Sequence, residues 1–124
     1  MSKNTKGRIL VVDDDEALRT ILSTELSTAG YDVISASDGD EAISFLRKNN
    51  FDVALLDIKM PGVDGIEVLK FLHKNFPRMK VIMLTGFADL KHAMEAKEFG
   101  ARDFITKPYR LEDVLSTIEN VLRE

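Results

Sequence analysis

Three four-residue runs, Ile9-Leu10-Val11-Val12, Val53-Ala54-Leu55-Leu56 and Val81-Ile82-Met83-Leu84, contain no polar residue and no in/out alternation. A strand with one wet face alternates, so unbroken apolar runs of this length belong in the middle of a parallel sheet covered on both faces. Two weaker candidates, around Val33 to Ala36 and Asp103 to Ile105, are shorter or more polar, as strands at a sheet edge are.

Between these runs the apolar spacing turns helical. The last helix is the clearest: Leu111, Val114, Leu115, Ile118, Val121 and Leu122 repeat at i, i+3, i+4, i+7, i+10 and i+11. A first helix, from about Glu16 to Ala29, places Leu18, Ile21, Leu22, Leu26 and Ala29 on one stripe and stops at Gly30. A second opens at Asp38, with Glu41 three residues on in a capping-box pattern. A third begins near Gly65 and ends before Pro77. A fourth, about Asp89 to Glu98, sets only Leu90, Ala93 and Met94 among charges, which predicts a loosely held helix. Strict alternation of strand and helix predicts an α/β chain of (βα)5 type, with a parallel sheet and right-handed crossovers. Five strands do not close a barrel, so the sheet is open with helices on both faces.

The chain of 124 residues fits one domain with a real core. Residues 1–7 are polar and read as a flexible tail, and residues 8–124 as the domain. Hydrophobic residues at 44% and charged residues at 31% are globular proportions. No apolar run exceeds four residues, too short for a transmembrane helix or a signal-peptide core. The absence of cysteine removes disulfides, thiolate metal sites and cysteine nucleophiles, and suits a reducing cytoplasm. A net charge of -4 argues mildly against non-specific nucleic-acid binding.

Open α/β sheets bind ligands outside the carboxyl ends of their strands. Here those ends are Asp13-Asp14-Asp15, Asp57, Thr85-Gly86 and Thr106-Lys107-Pro108, while the second strand offers only Ser35 and Ser37. Crowded carboxylates repel, at a few kcal/mol per close pair for an effective dielectric of about 20. Lys107 neutralises one charge. A hard divalent ion with oxygen ligands suits the rest, and Mg2+ fits a site with few protein ligands. With His73 and His92 on helical segments, zinc is disfavoured. Mg2+ held by one or two carboxylates usually serves phosphate, and Lys107, the Thr85 hydroxyl and Gly86 suit phosphoryl transfer. Asp57, alone at the end of a central strand, is the candidate nucleophile for an aspartyl phosphate.

Each piece has an ordinary reading. Asp15 and Glu16 read as the capped start of a helix, Thr85 as a strand-end threonine and Lys107 as a surface lysine. Asp64-Gly65 and Pro61-Gly62 are turn chemistry first, and the histidines read as solvated. Two adjacent carboxylates at Asp13-Asp14 exceed what a cap needs. The coincidence of Asp13, Asp14, Asp57, Thr85 and Lys107 at strand ends favours a site.

These residues resemble the receiver domain of two-component response regulators from Arg8 to the end of the last helix. The resemblance rests on Ile9-Leu10-Val11-Val12-Asp13-Asp14, Leu55-Leu56-Asp57-Ile58-Lys59-Met60-Pro61-Gly62-Val63-Asp64-Gly65, Leu84-Thr85-Gly86 and Gly100-Ala101-Arg102-Asp103-Phe104-Ile105-Thr106-Lys107-Pro108, in that order. It implies a flavodoxin-like sheet of strand order 2-1-3-4-5. It implies that Asp57 is the phosphoryl acceptor and that a sensor histidine kinase or histidine phosphotransfer protein is the donor. Mg2+ would bind Asp14, Asp57 and the backbone carbonyl of Lys59, with Asp13 acting through water. Lys107 would pair with phosphoryl oxygens, and the Lys107-Pro108 bond would be cis. Thr85 and Phe104 would be the switch pair, and the helix 4, strand 5, helix 5 face would signal to an output domain or protein and form any homodimer. Such a domain catalyses only its own phosphorylation and dephosphorylation and contacts neither membrane nor nucleic acid. Lys59 and Phe87 would flank the attacking water's path, so self-dephosphorylation is expected to be slower than in a receiver with small polar residues at those positions.

Three other readings fit less well. A haloacid-dehalogenase-type phosphatase places its nucleophile after strand one in an Asp-x-Asp-x-Thr/Val pattern, which Asp13-Asp14-Asp15-Glu16-Ala17 lacks. A flavin binder needs a hydroxyl- and Gly-rich first loop, where acids would repel the phosphate. A receiver-like interaction module without phosphorylation would be favoured by loss of Asp57, its acidic partners or Lys107, and all are present.

Overall fold

A computed structural model describes residues 6–60, 62–86 and 90–124, with Leu90 described by its backbone alone. In chain order the elements are β1 (Arg8–Val12), α1 (Glu16–Thr28), β2 (Asp32–Ala36), α2 (Gly39–Lys48), β3 (Val53–Asp57), α3 (Gly65–Asn75), β4 (Lys80–Thr85), α4 (Leu90–Glu98), β5 (Asp103–Thr106) and α5 (Leu111–Arg123). The five strands form one sheet in the order β2-β1-β3-β4-β5, and every pairing is parallel. The three unbroken apolar runs occupy the three central strands, and the two weaker candidates are its edges.

Although both faces are apolar, the strand period still divides them into two layers. Ile9, Val11, Leu55, Ile82 and Leu84 pack with Leu22 and Leu26 of α1 and with Val114, Ile118 and Val121 of α5. Leu10, Val12, Ala54, Leu56, Val81 and Met83 face the other way, onto Ala42 and Leu46 of α2, Val68, Leu69 and Leu72 of α3, and Ala96 of α4. Full burial of each such Leu, Ile or Val contributes about 1.5–3 kcal/mol.

The helix ends follow local chemistry. The Asp15 carboxylate accepts from Leu18 N–H at 3.2 Å, and the Asp64 carboxylate accepts from Glu67 N–H at 3.0 Å. At α2 the Asp38 carboxylate accepts from Glu41 N–H at 2.8 Å, but Glu41 Oε1 returns to the N–H of Ser37, one residue earlier than a capping box predicts. Helix α1 stops at Gly30, whose φ of +106° few L side chains adopt, while Tyr31 N–H reaches back to the Leu26 carbonyl at 3.1 Å.

Ile21 departs from expectation: it is 56% exposed. It lies about 100° around the helix from Leu22, so it leaves the Leu18, Leu22, Leu26 row that meets the sheet. Helix α4 is as sparsely anchored as its composition predicts, with Ala96 the one buried side chain among those described. Asp89 and Phe87 lie outside the described residues, as does Pro61. Of the segment read as a tail, residues 1–5 are also outside them, while Lys6 N–H donates to the Gly30 carbonyl and the Gly7 carbonyl accepts from Asp32 N–H, both at 2.9 Å.

Candidate functional site

The layer facing α1 and α5 ends in charge at the carboxyl edge of the sheet. With a period of two, Ile9 and Val11 lead to Asp13, Val53 and Leu55 lead to Asp57, and Ile105 leads to Lys107. The strand ladders deliver these groups in register. Asp13 N–H donates to the Ala36 carbonyl at 3.2 Å, and Lys107 N–H to the Thr85 carbonyl at 2.7 Å. The Lys107-Pro108 bond is cis.

Lys107 Nζ lies 3.2 Å from Asp57 Oδ2 and 3.4 Å from Asp13 Oδ2, so one ammonium serves two acids. Asp13 is wholly buried and Asp57 is 7% exposed, whereas Asp14 is exposed. Asp13 Oδ1 also accepts from Asp15 N–H at 2.9 Å. One carboxylate oxygen from each of Asp13, Asp14 and Asp57 lies within 4.8 Å of the others, the one cluster of metal-capable side chains among the described residues. An all-oxygen donor set of this kind fits a hard divalent cation such as Mg2+ and lacks the nitrogen or sulfur that zinc prefers.

Burial raises the Asp57 carboxyl, the neighbouring Asp13 raises it further, and Lys107 pulls it back; the balance is about 6. For Lys107, burial works to lower its pKa, but Asp57 and Asp13 outweigh burial and the group is raised.

The other anticipated residues divide by face. Thr85 is buried at the end of β4, in the row of Val81 and Met83, and Phe104 packs against that same α2–α3–α4 layer. Both line a cavity of about 510 Å³ with Gly86, Ala93, Met94, Lys97 and Thr106. Lys59 is exposed and lines a second cavity with Ile58, Met60, Asp64 and His92. His73 sits edge-on to Phe99 at 5.8 Å, far in chemistry from the carboxylates.

Two contributors escaped sequence reasoning. Arg19 on α1 donates from its guanidinium to the Asp13 carbonyl at 2.8 Å. Tyr109 packs in the α1/α5 layer, and burial followed by Asp13, Asp57 and Asp15 pushes its phenol up to about 12. Its place two residues past Lys107 was the available signal.

A family model for the response regulator receiver domain matches residues 9–119. The probable transcriptional regulator ycf27 of Porphyridium aerugineum is 42% identical over 95% of this chain and 49% of its own length. The alkaline phosphatase synthesis transcriptional regulatory protein PhoP of Bacillus subtilis is 39% identical over 94% of this chain and 48% of its own. The chain thus spans about half the length of the curated relatives it matches. Among solved structures, a CheY-like response regulator receiver domain protein of Methanospirillum hungatei is 38% identical and superposes with a TM-score of 0.90, over 94% of this chain and 93% of that one.

Proposed function

The chain belongs to the response regulator receiver domain family and is a receiver domain of two-component signalling; from that premise we propose that Asp57 accepts a phosphoryl group from a histidine kinase or histidine phosphotransfer protein. The receiver unit occupies residues 8–124 and works in the cytoplasm; no described helix is long and apolar enough to cross a membrane. In the transfer an Asp57 carboxylate oxygen attacks phosphorus, the P–N bond to the donor imidazole breaks with its electron pair leaving on nitrogen, and an acyl phosphate forms. Its pKa of about 6 makes Asp57 more basic than an ordinary carboxylate while leaving it mostly ionised at neutral pH.

Asp14, Asp57 and the Lys59 backbone carbonyl would hold Mg2+, with Asp13 acting through water. When bound, the cation offsets charge on the phosphoryl oxygens. Lys107, already 3.2 Å from Asp57, needs only a small shift to pair with one of those oxygens. The Thr85 hydroxyl moves to another, and Phe104 turns inward behind it. The phosphoryl group binds one of two conformations better and shifts the population. The α4–β5–α5 face then addresses an output domain or protein, and it is the face through which a homodimer would form. Lys59 and Phe87 hinder the hydrolytic water and lengthen the lifetime of the phosphorylated state.

The observation that carries this reading is the nearly buried Asp57 carboxylate held between Lys107 and two further carboxylates. Its test is intact mass after incubation with acetyl phosphate, with and without Mg2+, on the wild type and Asp57→Asn. The expected result is a Mg2+-dependent gain of one phosphoryl group that the variant lacks. No adduct on the wild type, together with no beryllofluoride binding, would leave an interaction module that is never phosphorylated.

A further inference from the structure

Tyr109 packs against the layer of Val11, Leu55, Leu84 and Ile105, the layer that ends in Asp13, Asp57 and Lys107. Its hydroxyl oxygen is buried and has no hydrogen-bond partner among the described residues. Packing alone would be served better by phenylalanine, because a buried hydroxyl left unpaired costs about 1–3 kcal/mol. The charged groups acting on the hydroxyl are all acceptors, Asp13 first, then Asp57 and Asp15. The phenol therefore stays protonated at neutral pH and can only donate to them.

Asp13 has acceptor capacity to spare. Its Oδ1 takes one N–H from Asp15 and its Oδ2 takes the Lys107 ammonium at a long 3.4 Å, while each carboxylate oxygen can accept about two donors. In the reaction proposed above, Lys107 turns to the phosphoryl group and leaves the Asp15 N–H as the one protein donor to the Asp13 carboxylate among the described residues.

We propose that Tyr109 is a positioning residue, whose hydroxyl donates through a bridging water to Asp13 and keeps that carboxylate oriented for the cation, both beside the long Lys107 contact and when Lys107 is drawn away. A water that joins a buried hydroxyl to a carboxylate is the usual way such groups are satisfied. Outer hydrogen bonds of this kind orient metal-binding carboxylates, and losing one weakens metal affinity. The inference rests on the acceptor reading of the site and adds a residue to it.

The test is Mg2+ titration by calorimetry on the wild type, Tyr109→Phe and, as a control, Tyr31→Phe. Tyr31 is also buried but is influenced by Glu119 rather than by the aspartate cluster. Tyr109→Phe is expected to raise the Mg2+ dissociation constant on the order of tenfold, with Tyr31→Phe unchanged. Because the chain has no tryptophan and two tyrosines, Tyr31→Phe also makes Tyr109 the sole fluorophore. Its emission should follow Mg2+ with the calorimetric midpoint. Equal Mg2+ affinity in wild type and Tyr109→Phe, or emission indifferent to Mg2+, overturns the inference and leaves the acceptor reading standing. A wild type that neither binds Mg2+ nor takes a phosphoryl group overturns both.

Discussion

Asp57 is held where its charge is costly. Its carboxyl ordinarily titrates at 3.8 and here at about 6, so the folded state keeps the proton over a range where the unfolded state has lost it. The group favours folding fully below about pH 4, and that contribution is lost as the pH rises through 6. Above it, the ionised form costs on the order of 2–3 kcal/mol. Asp57→Asn should therefore stabilise the metal-free protein at pH 7 by about 1–3 kcal/mol, a range that already contains the Lys107 attraction and is discounted for partial solvent screening. Near pH 4 the gain should vanish. Urea unfolding of both proteins at the two pH values measures it, and an equal difference at both would mean that Asp57 is not perturbed. Asp13, Asp57 and Lys107 were legible in the sequence because each stands at the carboxyl end of a strand and the strand period fixes its direction. Tyr109 and Arg19 were not, because an aromatic after Lys107-Pro108 and an arginine on a helix look like core and surface until the layers are assembled.

At the scale of the element, α3 is set against the end of β3 with no space between them. A Cβ on Gly65 would collide with the Asp57 carbonyl oxygen, and Gly65 N–H donates to the Ile58 carbonyl at 3.0 Å. Gly65→Ala must push the helix start away from the strand end that carries the acceptor. A loss of about 2 kcal/mol or more is expected by urea unfolding, with weakened Mg2+ binding alongside. Ordinary stability and unaltered Mg2+ affinity would show that the β3–α3 junction tolerates the shift. Helix α4 is the opposite case. It buries Ala96 alone among its described side chains, whereas α3 buries Gly65, Ile66, Val68, Leu69 and Leu72. Native-state hydrogen exchange should find α4 amides protected at least tenfold less than those of α3, as sparsely packed elements open locally. This looseness was visible in the sequence. The exposure of Ile21 was not, because an apolar residue at the rim of a stripe is placed by which row meets the sheet, and periodicity leaves that choice open.

Across the whole molecule, the parallel topology sorts charge in a way the net value of -4 conceals. Every helix runs back against its strand, so helix N-termini gather at the edge holding Asp57 and C-termini gather at the opposite edge. The N-caps Asp15, Asp38 and Asp64 and the first-turn acids Glu16, Asp40, Glu41, Glu67, Glu112 and Asp113 surround the carboxylate cluster. Arg47, Lys48, Lys74, Lys97 and Arg123 stand in last turns at the far end. Each placement favours its own helix dipole, and together they make a field that draws cations toward the site and repels a phosphate donor that arrives without one. Salt should expose that field. As ionic strength rises from about 0.01 M to about 0.15 M, the Debye length falls from about 30 to about 8 Å. Exposed acids more than about a Debye length from the cluster are then largely screened, and the Mg2+ dissociation constant should rise several-fold by calorimetry. The double variant Asp40→Asn/Glu112→Gln removes two exposed charges outside the cluster. It should weaken Mg2+ binding at low salt, match the wild type near physiological salt, and so flatten the dependence. A parallel shift of the two proteins at all salt concentrations would instead place the whole electrostatic effect in Asp13, Asp14 and Asp57.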